Sequence, residues 1–392
     1  MSNSILHKFS LIPEVTYGVT PATPTFVLTP VTGVNLALSK GTLESGIINL
    51  NRQVTDVRHG NRQVGGEIST ELIYGEFDLL LQALLGGTWT PRIAAYTAGT
   101  ISAASADNSL NDSANAFPVF LVGENVSVSG FTGAGIVTNL GNAVIVSRTV
   151  SKLVLSGITL TTDAAGEVVT ITSLNQTLVP GVTQRSFSAL RQYTDVAATG
   201  SNYPFQLYKG LEVNKLSLTL SPESFVKAGF SMFGREMVLS NADPATAYTA
   251  ASTRKPFDAF SGVVTVDGSA VANITEIQLT VENGIQPRFV LFDDKTLAPK
   301  IGRCRVTGTI TLYFQDSTFL SAFNGATKRA LSFTLTDPVG NTYTFDLPSI
   351  LGTGAQTDVQ GESDIMVPFP FSAIFETGAA IPDALKITRD PL

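Results

Sequence analysis

The sequence predicts an all-β protein with short helices, organised as a duplicated β-sandwich or barrel domain plus a small inserted β-domain. Three observations carry this reading. Alternation of polar and apolar residues with period two is widespread, helical periodicity is nearly absent, and one strand-then-helix arrangement occurs twice. The composition agrees: of 392 residues 43% are apolar and only 15% charged, with 34 Gly and 19 Pro. That profile fits a compact, turn-rich chain and excludes a disordered or coiled-coil one.

Strands are read first. Thr275 to Val281 alternates with period two, and Leu216, Leu218 and Leu220 alternate with Lys215, Ser217 and Thr219. Two short helices stand out. Phe77, Leu80, Leu81 and Leu84 form an i, i+3, i+4, i+7 stripe ended by Gly86-Gly87, and Phe319, Leu320 and Phe323 form a shorter one ended by Asn324-Gly325.

Around these helices the sequence repeats itself. Val64-Gly65-Gly66-Glu67-Ile68-Ser69 matches Val306-Thr307-Gly308-Thr309-Ile310-Thr311, and Leu36-Ala37-Leu38-Ser39 matches Ile277-Gln278-Leu279-Thr280. Ser186-Phe187-Ser188 matches Ser332-Phe333-Thr334. Val226 and Phe230-Ser231 match Val367 and Phe371-Ser372. The offset between copies shrinks by roughly 100 residues between Gly87 and Ser186, which locates an insertion in the first copy. The expected organisation is an N-terminal arm at 1–30, a first domain at 31–90 and 180–245, an inserted β-domain at 91–179, a second domain at 260–378 and a tail at 379–392. Within the insertion, Asn125–Ser129, Ala143–Val146, Leu153–Leu155 and Val168–Ile171 read as strands, and Ala94–Asn115 as a loose connector.

Two features single out candidate functional residues. Charges are scarce, yet they concentrate in the long loop that follows the first strand of each copy. In copy one these are Arg52, Asp56, Arg58 and Arg62; in copy two Arg288, Asp293, Asp294, Lys295, Lys300 and Arg303. The bland account is a solvated hairpin tip; the functional one is a contact arm whose charges fix the register of a neighbouring subunit. The second feature is a set of one-sided strands. Glu67, Ser69 and Glu71 oppose Ile68 and Leu72; Glu276, Gln278 and Thr280 oppose Ile277, Leu279 and Val281; Thr309 and Thr311 oppose Ile310 and Leu312. Such strands bury one face and wet the other. The wet face reads as an ordinary solvated sheet or as the hydrated wall of a large barrel, poor in Lys and Arg.

Chemistry of other kinds finds little support. Net charge is −7 with pI near 5.0, so gripping phosphates by counterion release is disfavoured. His7 and His59 lack a serine elbow. Gly133-Ala134-Gly135 fails dinucleotide spacing, and Asp293-Asp294-Lys295 lacks a third carboxylate for a cation loop. Cys304 is the single cysteine, which excludes an intrachain disulfide and a thiolate zinc cluster. No cofactor, metal or catalytic residue is expected. Residues 1–20 lack a signal-peptide pattern and no apolar run spans a bilayer, so a soluble chain made in a reducing cytoplasm is expected.

Ile12-Pro13-Glu14-Val15-Thr16-Tyr17-Gly18-Val19-Thr20-Pro21 resembles the opening of siphophage tail tube proteins. The blocks Arg62–Glu67, Glu71–Leu80 and Gly123–Phe131, and the strand ending at Phe230, extend the resemblance over nearly the whole chain. It implies a structural virion protein whose β-sandwich domains donate strands to a continuous inner barrel, in rings stacked helically into a tube that delivers DNA to the host. Because the domain is duplicated, it implies a homotrimeric, pseudo-hexameric ring, with a true hexamer as the alternative. The charged loops would dock rings, so reversing Arg58 and Arg62 would block stacking. Phe9–Pro24 would reach a neighbour, the insertion would decorate the outside, and Glu67, Ser69, Glu71, Glu276, Gln278, Thr280, Thr309 and Thr311 would face the lumen. Implied partners are the tape-measure protein and genomic DNA in the lumen, then the tail terminator and tail-tip proteins, with no membrane; assembly would occur in the host cytoplasm. Competing readings are another tail or baseplate component, a surface-layer or adhesin-type β-protein, and a carbohydrate-active enzyme. The last is disfavoured by a single tryptophan, Trp89, without an aromatic cleft.

Overall fold

The computed structural model describes residues 3–48, 50, 53–357, 364–378 and 381–391. Strands take up 48% of the chain and helix 5%, so the protein is all-β with short helices. The chain divides into two compact units. The first comprises Met1–Gly87, Pro180–Ser332 and Leu347–Leu385; the second comprises Thr88–Val179, Phe333–Asp346 and Lys386–Leu392.

The first unit is organised by strands β1 (His7–Pro13), β2 (Ala37–Glu44), β3 (Val57–Glu71), β4 (Phe187–Tyr193), β5 (Phe205–Leu220), β6 (Lys227–Gly234), β7 (Ile274–Glu282), β8 (Arg305–Tyr313), the Leu347–Gly352 part of β9 (Thr342–Gly352) and β10 (Met366–Ala373), with helices α1 (Asp78–Leu85) and α2 (Thr318–Asn324). An antiparallel sheet runs β2–β3–β6–β5–β7–β8–β10–β9, the last through Ile350–Gly352. The first half of β5 belongs to a further layer, where it pairs with β4 and with Glu236–Ser240, and β4 pairs with β1. One strand can serve both layers because it bends. Gly210 has φ +67, and a Cβ there would lie 3.0 Å from the Tyr17 ring, so only glycine fits both the turn and the close approach.

The helices form where the sequence predicts them, and for the expected reason. In α1 the stripe Leu80, Leu81 and Leu84 is buried while Leu79 is exposed, and each buried leucine contributes about 1.5–3 kcal/mol relative to exposure. Gly86 ends α1 at φ +63, a left-handed cap that glycine adopts without steric cost. The α2 end differs: Gly325 keeps φ −85 and the left-handed residue is Ala326.

Pairing follows the same order in both halves of the large sheet, β2–β3–β6–β5 and β7–β8–β10–β9, with a short helix after β3 and after β8. Equivalent contacts recur. Leu72 N–H donates to the Val226 carbonyl, and Phe314 N–H to that of Ile365. Phe77 stacks on Phe230 at 5.8 Å, and Phe319 meets Phe369 edge-on at 5.0 Å. Leu38 pairs with Val64 and Val281 with Val306. These contacts correct two of the sequence matches by two residues: Leu38 corresponds to Val281 rather than Leu279, and Phe230 to Phe369 rather than Phe371. A slip of two leaves every side chain on its original face, so alternation alone cannot detect it.

The N-terminal stretch expected to reach a neighbour is a strand of its own chain. β1 pairs with β4 from His7–Tyr193 to Pro13–Phe187, and Phe9, Leu11 and Ile12 are buried. Glu14 fastens the following turn: its carboxylate accepts hydrogen bonds from the Gly18 and Gly210 amides and from the Ser186 and Ser188 hydroxyls.

In the second unit the four expected strands are present at Asn125–Ser129, Gly141–Arg148, Lys152–Ser156 and Val169–Ser173. The segment Ala94–Asn115, expected as a connector, supplies three more at Tyr96–Ala98, Ile101–Ala104 and Ser109–Asp112, completing a seven-stranded sheet. Its order arises because Ile101, Ala103 and Leu110 enter the core with Val126, Ile145 and Ile171, and because Asp112 gathers Tyr96, Thr100 and the amides of Ala114 and Ala116. Lys386–Asp390, expected within a tail, is a strand paired with Gln176–Leu178 and with Thr342–Asp346. Buried Leu385 and Ile387 account for its order. Trp89 lies between Tyr343, stacked at 6.3 Å, and the Arg389 guanidinium at 4.8 Å.

Candidate assembly surface

Sheet register determines which side chains share a surface. One cross-strand row of the large sheet reads Ser69, Gly229, Ser217, Thr280, Thr307, Ser372. The next reads Glu71, Lys227, Thr219, Gln278, Thr309, Pro370, and the row on the other side reads Glu67, Ser231, Lys215, Glu282, Arg305. Thr311 stands opposite Glu276. All eight residues singled out for a wet strand face therefore lie on one face of one sheet. The other face buries Val64, Ile68, Leu216, Leu218, Phe230, Ile277, Leu279, Ile310 and Phe369.

That polar face is held by short-range hydrogen bonds rather than by ion pairs. Ser69 and Ser231 hydroxyls donate to Glu67, and the Gln278 amide donates to Glu276 at 2.8 Å. Its charge differs from expectation. Lys215, Lys227 and Arg305 share the surface with Glu67, Glu71, Glu276 and Glu282, so it is mixed rather than poor in cations. The reason lies in β5 and β6, whose polar residues join the same face through pairing that is remote in sequence. Alternation of Lys215, Ser217 and Thr219 was the available signal; which face they join was decided by register.

The two long loops flank one end of this sheet, and most of their charges are used within the chain. Arg62 meets Asp294 at 3.0 Å, its amide donates to the Asp294 carbonyl, and Lys295 meets Glu236 at 2.5 Å. Arg58 pairs with Asp56 at 2.6 Å, with the arginine side chain 78% exposed. Arg288 donates to the Ala298 carbonyl at 2.6 Å, and the Asp293 carboxylate accepts from the Lys295 amide. Arg303 is exposed. Arg52 lies outside the described residues.

What each loop presents instead is apolar. Ile48 is 97% and Leu50 107% exposed in the first; Phe292 is 105% exposed in the second, beside exposed Leu291. Phe292 also has φ +67, a conformation uncommon for a bulky residue. Sequence reasoning passed over these side chains because it followed charge. Isoleucine and leucine at a loop tip were the visible signal.

Burial pushes the Cys304 thiol pKa up, away from a reactive thiolate. His7 is lowered by burial and by the nearby Arg191 charge. Among the described residues no group of His, Cys, Asp and Glu is arranged to hold a metal ion, and no helix is long and apolar enough to cross a membrane. Buried Glu212 has a pKa raised to about 7, chiefly by desolvation, while a hydrogen bond from Gln184 lowers it and the Glu14 charge raises it further.

A family model described as phage tail tube protein matches residues 5–373 of the chain. No curated protein matches it.

Proposed function

We propose, for a chain that belongs to the phage tail tube protein family, that its two strand modules arose by duplication and act as adjacent wall segments of the tube. The family makes it a structural protein of the virion tail that self-assembles into a tube; how its own residues build that tube is the proposal. Three chains would close a pseudo-sixfold ring, and rings would stack helically in a siphophage tail. The observation that carries the reading is the continuous sheet with repeated pairing order, one face packed and the other bearing mainly polar side chains.

In this reading the polar face lines the lumen. Threonine, serine and interleaved opposite charges keep it hydrated while giving phosphates no concentrated cationic patch to grip. Genomic DNA and the tape-measure protein would occupy the lumen, with terminator and tip proteins at the ends and assembly in the host cytoplasm. Closure would pair edge strand β2, bonded on one side by β3, with an edge of the neighbouring chain. The loops at 45–56 and 283–304 would dock successive rings, apolar tips supplying the contact and the internal ion pairs holding the loops in shape. The seven-stranded sheet of the second unit would decorate the exterior. A chain devoted to these contacts needs no catalytic group.

Native mass spectrometry of the soluble oligomer, combined with electron microscopy of assembled protein, tests the arrangement. Rings of three chains with six similar wall segments are expected. Rings of six chains would sink the duplication reading, and monomers or flat sheets would sink the tube geometry.

A further inference from the structure

The large sheet ends differently at its two extremities. At one end of β7 the loop 283–304 carries Leu291 and Phe292, both highly exposed. At the other end lies a cavity of about 300 Å³ lined by Leu220, Pro222, Phe260, Val264, Ile274 and Ile277, the size at which pockets begin to accommodate small organic groups. The nine residues of β7 separate the two, roughly 26 Å at about 3.3 Å per residue. A chain cannot fill its own cavity with its own loop tip.

Charge follows the same polarity. Lys300 and Arg303 in the loop, and Arg305 beside it, enter no ion pair among the described residues. At the cavity the free charges are of opposite sign, with Glu223 exposed and Glu276 half-buried at its rim. Complementary knob and hole at opposite ends of one molecule, with complementary charge, define a head-to-tail contact that does not close on itself.

We propose that this cavity receives the Leu291–Phe292 tip of a second copy of the chain, so that each copy is both knob and hole along the assembly axis. The inference rests on the tube reading and adds to it the receiving site. Lys300 and Arg303 then approach Glu223 and Glu276 of the next copy, which orients the insertion and discriminates against a tip-to-tip contact.

The test is a disulfide between copies. Phe292→Cys and Phe260→Cys are combined in a Cys304→Ser background and assembled tubes are treated with a disulfide oxidant. Both altered positions are surface side chains, so folding is preserved, and the span of β7 forbids a bridge within one chain. The expected result is a ladder of covalent multimers on a non-reducing denaturing gel, absent from either single-cysteine variant. Tubes of normal bore that give no ladder overturn the receiving site while leaving the tube reading intact. Covalent dimers from Phe292→Cys alone also overturn it, since they indicate tips meeting tips. An unaltered chain that forms neither rings nor tubes overturns both.

Discussion

The two strand modules of the large sheet share pairing order and core contacts, yet they differ at two equivalent places. The first loop, 45–56, carries exposed Ile48 and Leu50, and its described residues are tied by the Asp56–Arg58 ion pair, the Ser45–Asp56 backbone bond and the Ile47 amide donating to the Ser45 hydroxyl. The second, 283–304, is cross-tied: Leu297 N–H donates to the Arg288 carbonyl, and Thr296 both accepts from the Arg288 amide and donates to its carbonyl. Deeper in, Glu212 of the first module occupies the place taken by Leu351 in the second, as the pairs Glu212–Phe233 and Leu351–Ser372 show. Core and exposed apolar residues recur where charges do not. Packing geometry is what the two modules hold in common; electrostatics is where they differ.

The strongest way to break this comparison is through the core. Phe230→Ala and Phe369→Ala each remove a fully buried ring that packs on a helix-start aromatic, and each should cost about 3–5 kcal/mol. Urea denaturation checks it. A loss near zero at one position and full at the other would mean that the modules are not equivalent.

Next in size is the titration that only one module carries. Glu212 titrates near 7 when folded and near 4.5 otherwise, so the folded state holds the extra proton between these values. Stability is greatest at and below pH 4.5 for this group, falls by about 1.4 kcal/mol per pH unit as pH rises towards 7, and levels off above it. Glu212→Gln should flatten that slope between pH 4.5 and 7 in thermal denaturation profiles. The same slope persisting in the variant would assign it elsewhere.

The loops give the smaller effects on the fold. Arg62→Glu sets two acidic side chains against each other and should cost about 1 kcal/mol, with assembly impaired because the two loops lose their mutual tie. Arg58→Glu, on an exposed side chain, should leave thermal stability unchanged within error. Ile48→Asp with Leu50→Asp should likewise spare the monomer, as read by circular dichroism, yet abolish tubes under the microscope. Normal tubes from that double variant would show that the first loop is not a docking element.

Much of this was legible in the residues themselves. Period-two alternation placed β3, β7 and β8 and named their polar residues. The leucine stripe and Gly86 placed α1. Alternation, helical stripes and glycine caps are local constraints, so neighbouring residues carry them completely. Pairing partners are not local. Only the tertiary structure decided that the faces of β5 and β6 join those of β3 and β7, that β1 lies against β4, and that Arg62 spends its charge on Asp294, 232 residues away. A slip of two residues preserves every alternation, and an exposed arginine looks the same in sequence whether its partner is a neighbour's carboxylate or its own. The composition of each surface was written in the chain, whereas the register that assembled it depended on contacts formed after folding.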